Sequence, residues 1–196
     1  MPRRKIIKIE AEKFLSQWKD YEYLLEFMEC KGNWNEPGNS DYPFYAYFSS
    51  LVSNTTILEI GTCEGGSATM MTHNKKNKVI SYDVVKHDRV PPSELRGIDW
   101  RIGNFMEDDI DYSQIRLMSI DAGHDGNSER AMFEHLEKVW DGGLLWLDDI
   151  SIRPMKSFWE GISRSRHECH DLSHLGHGGH GSGLVNFNKY YNLKIC

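Results

Sequence analysis

Four short apolar runs, at residues 57–60 (ILEI), 79–82 (VISY), 117–120 (LMSI) and 144–147 (LLWL), stop at Gly61, Asp83, Asp121 and Asp148. Brief apolar runs with abrupt polar stops read as buried strands. Between the last two, residues 128–140 place Ala131, Leu136, Val139 and Trp140 at helical spacing before the stop Asp141-Gly142-Gly143. Strand, helix and strand within about thirty residues make the crossover unit of a parallel sheet. Residues 99–102 and 184–188 read as further strands. Upstream, Phe14, Trp18, Tyr21, Leu25 and Met28 recur at three- and four-residue steps, predicting an amphipathic helix over 9–30. Residues 32–43 read as a loop and 44–52 as a short helix. Residues 84–97 read as irregular apart from a helical turn at 93–95, and 152–166, with Pro154 near the start, as the last long helix. The expected organisation is an N-terminal helix and loop over 1–42 and an α/β domain over 43–196. A chain of 196 residues that is 39% hydrophobic supports one compact domain rather than two full ones.

The first strand runs into Gly61-Thr62-Cys63-Glu64-Gly65-Gly66, and a helix-compatible stretch opens at Ser67. Glycines let such a turn adopt positive φ and approach a ligand with no Cβ in the way. The amides that open the helix face whatever occupies the turn. The dinucleotide fingerprint G-x-G-x-x-G is not met, because Cys63 stands at its second glycine, and this argues against a pyrophosphate on the loop. Glu59 adds a carboxylate that repels phosphate and accepts bonds from an ammonium, directly or through water. The second strand ends in Asp83, where nucleoside-binding folds place the acid that holds ribose hydroxyls.

LEIGTCEGGSA followed by SYD resembles the first two motifs of the class I S-adenosylmethionine (SAM)-dependent methyltransferases. The likeness is strongest to small O-methyltransferases whose first motif runs E-I-G-T-x-x-G-G-S, and it spans roughly residues 43–189. The resemblance implies a Rossmann-like α/β fold, a doubly wound seven-stranded mostly parallel sheet with an antiparallel last strand beside the strand at 144–147, here with an added N-terminal helix. It implies that Glu59, Gly61, Thr62, Cys63, Gly65 and Ser67 bind the methionine part of SAM and that Asp83 binds its ribose. In the next turn it implies that Asn104 bonds the adenine edge and Phe105 packs its face, an ordinary turn being the other reading.

Asp121, Asp148 and Asp149 all emerge at the C-terminal edge of the expected sheet, where such folds bind ligands. Three carboxylates offer hard oxygen ligands to Mg²⁺, Mn²⁺ or Ca²⁺. A metal there lowers the pKa of a bound hydroxyl and orients it toward a methyl donor; the bland alternative is strand-end acids that cap turns. D-x-G-H after the fourth strand and D-D after the fifth also occur in the metal-dependent O-methyltransferases, although catechol-type members carry Asp-Asn where this chain has Asp148-Asp149. Asp121 is thereby expected beside both cofactor and acceptor. His124 is the candidate general base, with metal ligand and turn histidine as the other readings.

The net charge of −6 offers little attraction to nucleic acid or an anionic membrane, and Arg3-Arg4-Lys5 reads as a solvated end. Cys30, Cys63, Cys169 and Cys196 show no paired spacing, and no secretory signal or membrane-spanning run is visible, so reduced thiols and a cytoplasmic location are expected. Cys63 reads as a small residue suited to a crowded turn. Residues 167–183 gather five of the nine histidines among glycines. The expectation there is a flexible substrate-facing loop forming the turn of the last hairpin, with zinc binding as the lesser alternative because no C-x-x-C or H-E-x-x-H spacing appears. The overall expectation is SAM-dependent methyl transfer to a hydroxyl of a small-molecule substrate. Asp121, Asp148 and Asp149 would hold Mg²⁺ or Mn²⁺, and His124 and Asp121 would be catalytic. A homo-oligomer is left open. The alternatives are a nicotinamide-dependent oxidoreductase on the same sheet and a non-catalytic binding protein on a methyltransferase-like fold.

Overall fold

The chain runs β1 (Ile6–Ile9), α1 (Ala11–Gln17), a 3₁₀ segment (Trp18–Phe27), α2 (Tyr42–Ser50), β2 (Thr56–Ile60), α3 (Gly66–Met71), β3 (Lys78–Asp83), β4 (Ile98–Ile102), β5 (Ile115–Ile120), α4 (Asn127–Val139), β6 (Gly143–Leu147), α5 (Arg153–Ile162), β7 (Glu168–Asp171), β8 (Gly183–Phe187) and β9 (Asn192–Ile195). These elements come from a computed structural model that describes residues 4–29, 31, 34–91, 96–164 and 166–196. The helical turn expected at 93–95 lies outside the described residues, as do Arg3 of the basic run and Cys30.

Seven strands form one sheet in the order β4-β3-β2-β5-β6-β8-β7. The pairs from β4 to β6 are parallel, and β8 runs antiparallel to both β6 and β7, so the expected sheet is present. Every residue of β6 is buried, because both faces of the sheet are covered. Its alternating side chains divide accordingly: Leu144 and Trp146 join one core cluster with Phe44 and Ile57, while Leu145 and Leu147 join another with Leu58 and Phe158. Pro43 to Ser49 of α2 are all buried, and Phe44 stacks 4.5 Å from Trp146. A helix apolar on all sides belongs inside.

The expected helix over 9–30 is corrected. It is α-helical only over Ala11–Gln17 and then tightens into the 3₁₀ segment. Trp18, Tyr21, Leu24 and Phe27 recur every three residues, which is the 3₁₀ repeat, and all four pack on the core. Three further strands were not visible as patterns. β1 pairs in parallel with β9 as a separate two-stranded sheet, and β7 supplies the seventh strand of the main sheet from inside the histidine-rich stretch. Its sequence, Glu168-Cys169-His170-Asp171, carries no apolar run because it is an edge strand, where polar residues are tolerated. Among the described residues no helix is long and apolar enough to cross a membrane.

Candidate active site

β2 lies between β3 and β5, so the chain leaves the sheet in opposite directions from the C-terminal ends of β2 and β5 and opens a crevice there. Gly61, at φ +104°, donates its amide to the Tyr82 carbonyl at 2.8 Å, and Asp121 donates its own to the Ile60 carbonyl at 2.8 Å. The two ends meet so closely that a Cβ on Gly61 would lie 1.8 Å from the Asp121 carbonyl oxygen. Cys63 follows in the left-handed region at φ 45°, and its amide donates to Asp83 Oδ2 at 2.9 Å. Asp83 Oδ1 accepts from the Val85 amide at 3.0 Å, and His87 Nε2 lies 3.3 Å from Oδ2. Asp83 therefore ties the end of β3 to the glycine turn. Burial pushes the Cys63 thiol up, which disfavours a thiolate.

Glu59 sits beneath this turn and is fully buried. Ser81 donates to its Oε2, and the Thr62 and Ser81 hydroxyls are 2.6 Å apart. Burial, with Ser67 and Ser81 pulling the other way and Asp121 and Asp83 adding to it, pushes Glu59 up to about 8. Among the described residues Oε1 has no hydrogen-bond partner. Glu59 does not line the crevice; Thr62 and Ser67 line it and stand between.

Two pockets, of about 240 Å³ and 360 Å³, share Gly61, Cys63 and Asp121. One runs past Thr62 and Ser67 toward Asp41, Tyr45 and His177, and the other past Asp83 toward Asn104, Phe105 and Met132. Asn104 caps the 3₁₀ turn Phe105–Glu107, accepting from the Met106 amide at 3.1 Å and donating to Glu107 Oε1 at 2.9 Å. Phe105 is 2% exposed and meets Tyr82 and His135 edge-on, so its ring is chiefly core with only a margin on the pocket.

The expected trio of Asp121, Asp148 and Asp149 divides. Burial, with the neighbouring carboxyls of Asp41 and Asp121 adding to it, raises Asp148 well above the usual carboxylate range, and its buried Oδ1 has no hydrogen-bond partner among the described residues. Asp41 is raised by its own burial, although Trp146 Nε1 at 2.9 Å and Ser182 Oγ at 2.8 Å donate to it. Loss of water around Asp121, opposed by His124 and reinforced by Asp41 and Asp149, moves it up to about 6. Asp149, at φ 59°, turns instead toward imidazoles: His124 Nδ1 lies 3.3 Å from its Oδ2, and His180 Nδ1 3.1 Å and His177 Nδ1 3.9 Å from its Oδ1. Among the described residues Asp149, His177 and His180 are the group whose ligand atoms all fall within 4.8 Å of one another. A three-carboxylate Mg²⁺ or Mn²⁺ site therefore does not fit the side chains as they stand. The histidine stretch is a tethered turn, since the Ser151 amide donates to the His180 carbonyl and the His177 amide to Ser182 Oγ, both at 2.7 Å.

His124 adopts φ 57° in the turn between β5 and α4, and its Nε2 is 3.4 Å from Asp121 Oδ1. The turn is held by Glu129, a buried carboxylate that accepts from the amides of His124 and of Gly126. The imidazole is thus clamped between Asp121 and Asp149.

No protein-family model and no curated protein sequence matches the chain. Solved structures do. An O-methyltransferase from Bacillus cereus in complex with SAH superposes at a TM-score of 0.59 and 17% identity, over 89% of this chain and 90% of that one. The O-methyltransferase TomG from Streptomyces achromogenes in complex with SAM matches at 0.59 and 14%, over 89% of each chain. A SAM-dependent O-methyltransferase from Thermotoga maritima matches at 0.59 and 10%, over 93% of this chain and 71% of that one. The fold is that of SAM-dependent O-methyltransferases.

Within this methyltransferase fold, two residues of the candidate site escaped the sequence reading. Asp41 stood in a loop by composition, and its only signal was its place just before Tyr42-Pro43, the opening of α2. Glu129 carried the pattern of a carboxylate three residues past the Gly126 cap. Tyr42 also lines the pocket, while Trp34, in the stretch before α2, packs against Trp18 at 5.5 Å.

Proposed function

We propose that this protein transfers the methyl group of SAM to a hydroxyl oxygen of a small molecule. The observation that carries the reading is the Gly61–Asp121 junction, from which one pocket runs toward Thr62 and Ser67 and the other toward Asp83 and Asn104. One arm suits an amino acid and the other a nucleoside, and both open at the switch point of the sheet.

When bound, SAM supplies an electrophilic methyl on a sulfonium sulfur. Asp83 would accept hydrogen bonds from the ribose hydroxyls, and Gly61, with no Cβ, would leave room for the methionine part beside Asp121. Displacement needs the acceptor oxygen in line with the methyl carbon and a destination for its proton. His124 Nε2, facing Asp121 across 3.4 Å, takes that proton as the new C–O bond forms and the C–S bond breaks. Asp149, on the Nδ1 side, stabilises the imidazolium that results.

The test is an acceptor screen over catechols, sugars, polyketide hydroxyls and small peptides, read as SAH formed together with a methylated product. Product from at least one hydroxyl class, lost in His124→Ala, supports the proposal. SAH formation with methyl on carbon or nitrogen only contradicts it.

A further inference from the structure

We propose that Asp149, His177 and His180 form a binding site for a borderline divalent transition metal such as Zn²⁺. The inference does not rest on methyl transfer. Three imidazoles from two separate turns present the same atom, Nδ1, to the two oxygens of one carboxylate, at 3.1, 3.3 and 3.9 Å. His177 and His180 lie with ring centroids 4.4 Å apart. Hydrogen bonding to Asp149 accounts for His180 Nδ1 at 3.1 Å but not for His177 Nδ1, which stands at 3.9 Å without reaching bonding distance. Lone pairs of neutral imidazoles converging with a carboxylate are what a metal requires.

The site is built rather than incidental. Asp149 and His124 both occupy the left-handed region, a strained choice for residues with side chains, and it turns their side chains toward each other. The histidine turn is held from both sides, by the Ser151 amide on the His180 carbonyl and by the Gly178 amide on the Gly38 carbonyl, each at 2.7 Å.

Nitrogen-rich donor sets favour Zn²⁺, Co²⁺ or Ni²⁺ over Mg²⁺ and Ca²⁺, which prefer all-oxygen cages. His180 is 55% exposed along its side chain, so the metal is reachable from solvent and keeps open positions. His177 also lines the pocket beside Gly61, which puts the metal at the mouth of the cofactor crevice.

The experiment uses the full chain stripped with a chelator, titrated calorimetrically with Zn²⁺ and Mg²⁺ and followed with Co²⁺ by visible absorption. One equivalent of Zn²⁺ is expected to bind, Co²⁺ to give ligand-field bands of low coordination, and Mg²⁺ to compete poorly. Loss of an outer-sphere partner costs about 10–100-fold in affinity, so removal of a direct ligand in His177→Ala or His180→Ala is expected to cost at least ~100-fold. His170→Ala, on the edge strand β7, serves as the control that binds normally. Circular dichroism of each variant separates ligand loss from misfolding, and His180, the most exposed of the cluster, is the variant least able to disturb the fold. Absence of stoichiometric Zn²⁺ or Co²⁺ binding, or binding that survives both histidine variants, overturns the proposal.

Discussion

Gly61 and Asp121 touch backbone to backbone, and a Cβ on the glycine would stand 1.8 Å from the aspartate carbonyl oxygen. The contact joins the ends of β2 and β5 at the point from which both pockets open. Gly61→Ala meets an immovable backbone atom and also needs φ +104°, so it is expected to destabilise the fold by about 3 kcal/mol or more. Thermal unfolding checks this; an unchanged melting temperature contradicts it.

Asp83 accepts the Cys63 amide with one oxygen and the Val85 amide with the other, yet still lines the pocket. If it also takes ribose hydroxyls, Asp83→Ala removes charge-assisted bonds and weakens SAM binding by about 10–100-fold. Equal affinity in the variant would remove Asp83 from the site.

His124→Ala is expected to leave SAM affinity within about twofold and to lower turnover by about 10²–10⁴. A loss of affinity with turnover preserved at saturation would mean that His124 positions the cofactor and takes no proton.

Glu59 offers a test by pH. In the unfolded chain it titrates near 4.3, whereas burial lets the native protein keep the proton to about 8. Between those values the native state holds more protons than the unfolded one, so this contribution to stability is full on the acid side and is lost as pH rises toward 8. Glu59→Gln stays neutral, and is expected to gain on the parent by up to about 4 kcal/mol on moving from about pH 5 to 8.5. Parallel stability profiles would contradict a proton held on Glu59.

Asp41→Ala strips the acceptor from the indole of Trp146 and the hydroxyl of Ser182, both buried. The expected cost is about 2 kcal/mol, reduced by relief of the neighbouring Asp148, and chemical denaturation measures it.

The strands that carry the site were legible because each buried run is short, apolar and ends in a residue with a reason to stop it: Gly61 for the backbone contact, Asp83 for the turn it ties, Asp121 and Asp148 for the crevice. The remainder lacked local signals. β7 is polar because it is an edge, and β1 becomes a strand only by pairing with β9 at the far end of the chain. The three-residue repeat of Trp18, Tyr21, Leu24 and Phe27 is masked by a mixed three-and-four pattern through Leu25, because both leucines pack on the core. In the candidate site, the spacing of Asp148 and Asp149 could not reveal that adjacent side chains face different ways. That division depends on Asp149 adopting φ 59° and on Asp41 arriving from a distant loop to meet Asp148.

The central claim is that the crevice along Gly61 and Asp83 binds SAM. Calorimetric titration of the full chain with SAM and with SAH tests it most directly. One-site binding of both is expected, weakened in Asp83→Ala. Absence of heat and of any thermal stabilisation with either ligand, from a folded protein, would contradict it.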